Sequence, residues 1–141
     1  MKKVLIVQAV FYEDISAMLL EGATARLEKD NIDYEVITVD GALEIPPAIN
    51  IASKSNKFDG FIALGCVIRG ETSHYDIVAE HSSEGIMRLS LEKDLAIGNG
   101  ILTVENQQQA LARANPKDKD KGGFAAGAVQ KIISLKEKFI R

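Results

Sequence analysis

Short apolar, β-branched runs alternate along this chain with segments whose apolar residues recur at helical spacing, and that alternation constrains the fold more than any other feature. Val4 to Ala9, Tyr34 to Val39, Phe61 to Cys66 and Leu95 to Thr103 read as strands, the last interrupted by Gly98-Asn99-Gly100. Asp14 is placed to cap a first helix whose buried face is Ile15, Met18, Leu19, Ala23 and Leu27. After the Asp40-Gly41 turn, Pro46-Pro47 suits the first turn of a helix running to about Lys54. Ser73-His74-Tyr75-Asp76 has the spacing of a capping box and opens a helix to about Leu91. Asn106 or Thr103 then starts a short helix through Gln109 to Ala114. From about Lys121 a last helix carries Ala125, Ala128, Val129, Ile132 and Ile133 on one face, with Lys136, Lys138 and Arg141 near its negative dipole end. Parallel strands joined by crossover helices close right-handed, so the expected fold is α/β: a four-stranded, mostly parallel sheet covered by helices on both faces, in three αβα layers.

The length of 141 residues fits one domain spanning 1–141, and the 46% hydrophobic and 26% charged composition is that of a globular chain rather than a disordered one. A net charge of -3 offers no long-range attraction to nucleic acid. No apolar stretch approaches the ~20 residues that cross a bilayer, and the apolar run after Met1-Lys2-Lys3 is too short for a signal peptide. Cys66 is the lone cysteine, which suits a reducing compartment. A cytoplasmic protein without nucleic-acid or membrane partners is the expectation.

Open parallel sheets bind ligands beyond the carboxyl ends of their strands, which directs attention to the segment from Leu64 to Asp76. There an apolar strand empties into a glycine-bounded polar loop holding hydroxyls, a carboxylate, a guanidinium and an imidazole. His74, in the first turn of its helix, lies where the positive dipole end disfavours an imidazolium, which suits a general base, although a plain helix cap is the other reading. Thr72 and Ser73, with the free N–H groups of the helix start, form a cradle for a phosphate or carboxylate, or merely cap the helix. Arg113 is a candidate second anion ligand, or a solvated arginine at a helix end. Glu44, at the tip of the second strand, can accept paired N–H donors from a heterocycle, or lie exposed in a turn. Phe11, just past the first strand, reads as a lid on the core in preference to a stacking platform. Lys117, Lys119 and Lys121, alternating with Asp118 and Asp120, read as a solvated loop. His81 adds no convincing metal site to His74, and no HExxH or clustered cysteines supply further ligands, so no metal is expected.

Taken together, Gly41-Ala42-Leu43-Glu44-Ile45-Pro46, the Gly65 to Asp76 segment, and Asn99-Gly100-Ile101-Leu102-Thr103-Val104-Glu105-Asn106 followed by Gln109-Ala110 resemble lumazine synthases, the penultimate enzymes of riboflavin biosynthesis. The resemblance covers nearly the whole chain in order. It implies a flavodoxin-like sheet and a transferase that condenses 5-amino-6-(ribitylamino)uracil with 3,4-dihydroxy-2-butanone 4-phosphate, releasing 6,7-dimethyl-8-ribityllumazine, phosphate and water. No cofactor is implied. By the family pattern Phe11 stacks on the pyrimidine, and Ala42, Leu43, Glu44, Cys66, Val67 and Ile68 line its pocket. Glu71 and Thr72 occupy the phosphate-loop positions, Arg113 the phosphate-binding position, and His74 that of the proton-transfer histidine; Lys121 resembles a lysine projecting into the site. The resemblance further implies a homopentamer with active sites at subunit interfaces, the stacking side and the arginine side coming from adjacent subunits, and a functional link to riboflavin synthase.

The chain also departs from the family pattern. Asn99 stands where many members have phenylalanine, leaving a polar contact to the pyrimidine substrate. The linker Asn115-Pro116-Lys117-Asp118-Lys119-Asp120 lacks the glycine-rich sequence associated with shell-forming members, and little chain precedes the first strand, so the expected assembly is an isolated pentamer. A non-catalytic flavin or lumazine carrier on the same scaffold would need neither His74 nor Arg113. A phosphorylated receiver module would want acidic residues where Gln8, Cys66 and Val67 stand.

Overall fold

The computed structural model describes residues 2–140. Its strands are β1 (Lys3–Ala9), β2 (Asp33–Val39), β3 (Gly60–Ile68) and β4 (Ile97–Val104), and its helices α1 (Glu13–Lys29), α2 (Ile45–Ser53), α3 (His74–Glu92), α4 (Gln107–Ala114) and α5 (Lys121–Phe139). The strands form one sheet in the order β2-β1-β3-β4, every neighbouring pair parallel. This is the α/β sheet expected from the alternating pattern and the flavodoxin-like arrangement that the family resemblance implies. Among the described residues, no helix is long and apolar enough to cross a membrane.

Side chains alternate across a strand, so each central strand feeds two cores. Val4 and Ile6 of β1 and Ile62 and Leu64 of β3 face a layer made by α1, α4 and α5, through Leu19, Ala110 and Val129 among others. Leu5, Val7 and Ala9, with Phe61 and Ala63, face α2 and α3 through Ile45, Ile49 and Ile86. Burial on both faces is why β1 and β3 read as continuous apolar runs. The edge strand β2 is largely exposed on its outer residues.

Several local expectations are corrected. Gly98-Asn99-Gly100 does not interrupt β4, which is continuous and begins at Ile97 rather than Leu95. The glycines serve packing instead: a Cβ at Gly98 would collide with the Ala125 carbonyl oxygen of α5. Asp14 does not cap α1; Tyr12 occupies the N-cap position without a side-chain bond, and Asp14 lies in the first turn, where a carboxylate suits the dipole. The capping box at Ser73 does not form, because Ser73 makes no cap bond and Asp76 is drawn to Arg69 at 3.3 Å. Of the two starts proposed for α4, Asn106 is the cap, its side chain accepting from the Gln109 N–H at 2.9 Å.

On α5, Ala128 and Ile132 are exposed, and the buried face is Gly122, Gly123, Ala125, Ala126, Val129 and Ile133. The helix is rotated because its glycine end presses on α1, where a Cβ at Gly122 would meet the Leu19 carbonyl oxygen. Asp120 is not a plain loop residue: in a left-handed conformation (φ 46) it caps α5 by accepting from the Gly123 N–H. Lys136 and Lys138 do lie in the last turn of α5, whereas Arg141 lies outside the described residues.

Candidate active site

All four strands point their carboxyl ends to one edge of the sheet, and the chain reverses its winding direction between β1 and β3. A crevice opens at such a switch point because the connections leaving the two strands diverge to opposite faces. Here it is a cavity of about 430 Å³, within the size range of small-molecule sites, roughly 300–1,000 Å³.

Each wall comes from one strand end. After β1 stand Phe11 and Tyr12; after β2, Gly41 to Glu44; from β3 and its loop come Cys66, Val67, Ile68, Gly70, Thr72, His74 and Tyr75, with Val78 of α3 beneath. Phe11 is 74% exposed, so the core-lid reading is overturned. Its ring stands edge-on to Tyr12, centroids 4.9 Å apart and planes at 83°, and both residues border the cavity.

The turn after β2 is self-fastened. Ala42–Glu44 is a single 3-10 turn, and the Gly41 N–H donates to Glu44 Oε1 at 3.0 Å, which fixes the exposed carboxylate at the rim. Ala42 packs with Val67, Val78 and Tyr75 in a small apolar cluster under the cavity floor. Burial pushes the Cys66 thiol up to about 11, so it sits there as a neutral, weakly polar wall. Burial, and the nearness of Cys66, also hold the Tyr12 phenol above its usual range.

The opposite end is polar. Gly70 to Ser73 leads into α3, whose first residue is His74; the His74 N–H donates to Thr72 Oγ1 at 3.3 Å. In the first turn of α3 the Asp76 and Ile77 N–H groups donate to the Ser73 carbonyl at 3.0 and 3.3 Å, while Thr72 and His74 both border the cavity. Glu71 lies exposed in this loop between two lining residues but does not itself border the cavity.

Besides Glu71, three candidates are not brought to the cavity within this chain. Asn99 lies midway along β4 opposite Ala63, its side chain accepting from the Ile101 N–H at 2.9 Å. Arg113 is in the last turn of α4, its Nη1 donating to the Gln109 carbonyl at 3.1 Å. Lys121 begins α5, with Nζ 5.5 Å from the Phe124 ring centre. Conversely, Tyr12, Tyr75 and Val78 border the cavity without having been singled out. The adjacency of Tyr12 to Phe11 and of Tyr75 to His74 was a signal available in the sequence; Val78 offered only its place on the buried face of a helix. Among the described residues, no cluster of three or more His, Cys, Asp and Glu side chains could hold a metal ion.

Known proteins resemble this chain over nearly its whole length. The family model described as 6,7-dimethyl-8-ribityllumazine synthase matches residues 1–137. The chain is similar to the 6,7-dimethyl-8-ribityllumazine synthase of Bartonella henselae, at 56% identity over 96% of this chain and 89% of the relative. It is also similar to that of Novosphingobium aromaticivorans, at 55% identity over 99% of both chains, and to that of Agrobacterium fabrum, at 55% identity over 95% and 94%. With a match of that extent, and with the three motif segments set on one fold of the expected kind, the chain belongs to the 6,7-dimethyl-8-ribityllumazine synthase family.

Proposed function

We propose that this chain, acting as one domain in the cytoplasm, condenses 5-amino-6-(ribitylamino)uracil with 3,4-dihydroxy-2-butanone 4-phosphate to form 6,7-dimethyl-8-ribityllumazine. The observation that carries the reading is that one cavity is lined by Phe11, Ala42, Leu43, Val67 and Ile68 at one end and by Gly70, Thr72 and His74 from the start of α3 at the other. The two ends match a pyrimidine and a phosphate ester.

In this mechanism the pyrimidine stacks on Phe11 while the Glu44 carboxylate accepts its ring N–H groups, and Ala42, Leu43, Cys66, Val67 and Ile68 form the wall. The phosphate rests on the loop of Glu71 and Thr72. The amine attacks the ketone and a water leaves as the imine forms; loss of a carbon-bound proton expels phosphate and leaves an enol, which becomes a ketone; the second nitrogen attacks that carbonyl and a second water leaves as the ring closes. These steps ask the protein to hold two reactants in register and to move protons, for which effective molarity and a nearby base suffice. His74 is the proton carrier. The helix start stabilises the departing dianion.

Asn99, Arg113 and Lys121 are assigned to the site of a neighbouring copy: Arg113 to its phosphate, Asn99 to its pyrimidine, Lys121 to its mouth. Support comes from their placement away from this chain's own cavity and from exposed apolar side chains on α3 (Ile77, Met87, Leu91) and α5 (Phe124, Phe139) that call for a covering partner. The assembly is a homopentamer with shared sites, and its product is passed to riboflavin synthase.

Incubating the protein with both substrates should yield the fluorescent lumazine and an equivalent of inorganic phosphate. A rate no faster than the spontaneous condensation would refute the assignment.

A further inference from the structure

The tip of β3 carries a side chain to which the mechanism gives no task. Ile68 and Gly70 both border the cavity, while Arg69 between them does not. Its Nε donates to Glu105 Oε2 at 2.7 Å and its Nη1 to Asp76 Oδ1 at 3.3 Å, and the guanidinium lies 4.2 Å from the centre of the Tyr75 ring. Its backbone N–H continues the ladder to the Val104 carbonyl at 2.9 Å. One residue thereby joins the end of β3, the first turn of α3 and the turn after β4. Glu105 is anchored in its turn, its N–H donating to Gln109 Oε1 at 2.8 Å.

Stability does not account for this network. The paired side chains are 41%, 51% and 58% exposed, and exposed ion pairs contribute only about 0–1 kcal/mol. Position accounts for it better. Asp76 puts a negative charge in the first turn of α3, two residues after His74 on the cavity lining, where it would repel a phosphate bound there if left uncompensated. Arg69 cancels that charge. Tyr75 borders the cavity and packs on Ala42, Val67 and Val78, so a guanidinium stacked on its ring fixes that wall as well.

We propose that Arg69 is a positioning residue for the phosphate-bearing substrate, holding the Gly70 to His74 segment through Asp76, Tyr75 and Glu105 without itself touching substrate. This inference rests on the function proposed above. Its test is steady-state kinetics with both substrates, together with titrations of inorganic phosphate and of the lumazine product, on the wild type, Arg69→Gln, Arg69→Lys and Glu105→Gln. Arg69→Gln should raise the KM for the butanone phosphate and the Kd of inorganic phosphate about tenfold, the loss expected for one charge-assisted contact, with lumazine affinity and Tm essentially unchanged. Arg69→Lys, which keeps the charge opposite Asp76 but not the fork, should recover part of the loss. Unchanged phosphate affinity, or an equal loss for both ligands with a lowered Tm, would overturn the proposal. Should Arg69→Gln fail to fold, Glu105→Gln carries the same test in the same direction. A wild type that forms no lumazine would count against the proposed function, while the phosphate titration would still read Arg69.

Discussion

Phe11 shows how a single exposed aromatic divides into stability and function. At 74% exposure it contributes little to the core, so Phe11→Ala should leave Tm almost unchanged. Stacking of a heterocycle on an aromatic ring is worth about 1–3 kcal/mol, so the same change should weaken lumazine binding by about tenfold or more in a fluorescence titration. Cys66 makes the opposite case, a side chain whose chemistry is suppressed by burial. With its thiol pushed from 9.0 to about 11, the folded protein holds a proton that the unfolded chain gives up first as pH rises. Alkylation by iodoacetamide at pH 8, followed by mass spectrometry, should therefore run roughly a hundredfold slower than in the denatured protein. By the same linkage the contribution of this group to stability is constant below pH 9.0 and falls as pH climbs toward about 11.

At the scale of elements, the crossing of α5 over α1 decides where the last helix sits. Gly122 lets the two backbones touch, since any Cβ there would meet the Leu19 carbonyl oxygen. Gly122→Ala should force the helices apart and lower stability by about 1–3 kcal/mol, read as a reduced urea midpoint with an unchanged slope. The Gly70 to His74 loop should be little affected, because α3 packs on the other face of the sheet. Binding of phosphate at wild-type affinity by the folded fraction is the expected companion result.

For the whole molecule the question is whether one chain holds a complete site. The cavity presents Phe11, Glu44 and His74 together, while Arg113 stands elsewhere on the same chain. If neighbouring copies complete each other, Arg113→Ala alone should mainly raise the KM for the butanone phosphate, and Phe11→Ala alone should mainly weaken the pyrimidine. Co-expressed in equal amounts, the two variants should form mixed rings in which about a quarter of the sites are intact, so activity should exceed that of either variant alone. Activity of the mixture no higher than the mean of the two would show that each chain works by itself. Light scattering on the wild type, giving the mass of an isolated pentamer, is the matching measurement of assembly.

Much of this was legible without coordinates. Alternation of apolar runs with helical spacing is a local property, and parallel pairing with right-handed crossovers follows from it, so the sheet, its helices and the edge that carries the site could be read from the residues. The motif segments around Glu44 and His74 sit at strand ends for the same reason. Other features depended on contacts distant in sequence. The glycines of β4 read as a break because nothing nearby shows that α5 presses on them; Phe11 read as core because exposure is set by what surrounds a side chain, not by its hydrophobicity. Asp76 fits a cap by spacing, yet its partner is Arg69, brought within reach only by the turn out of β3. The order of residues alone therefore sets the layers of the fold and the kind of chemistry at their edge, because periodicity and motif are written along the chain. Which way each side chain faces, and which residues one chain gathers around one cavity, was decided by the tertiary structure, because only packing across the sheet brings those groups together.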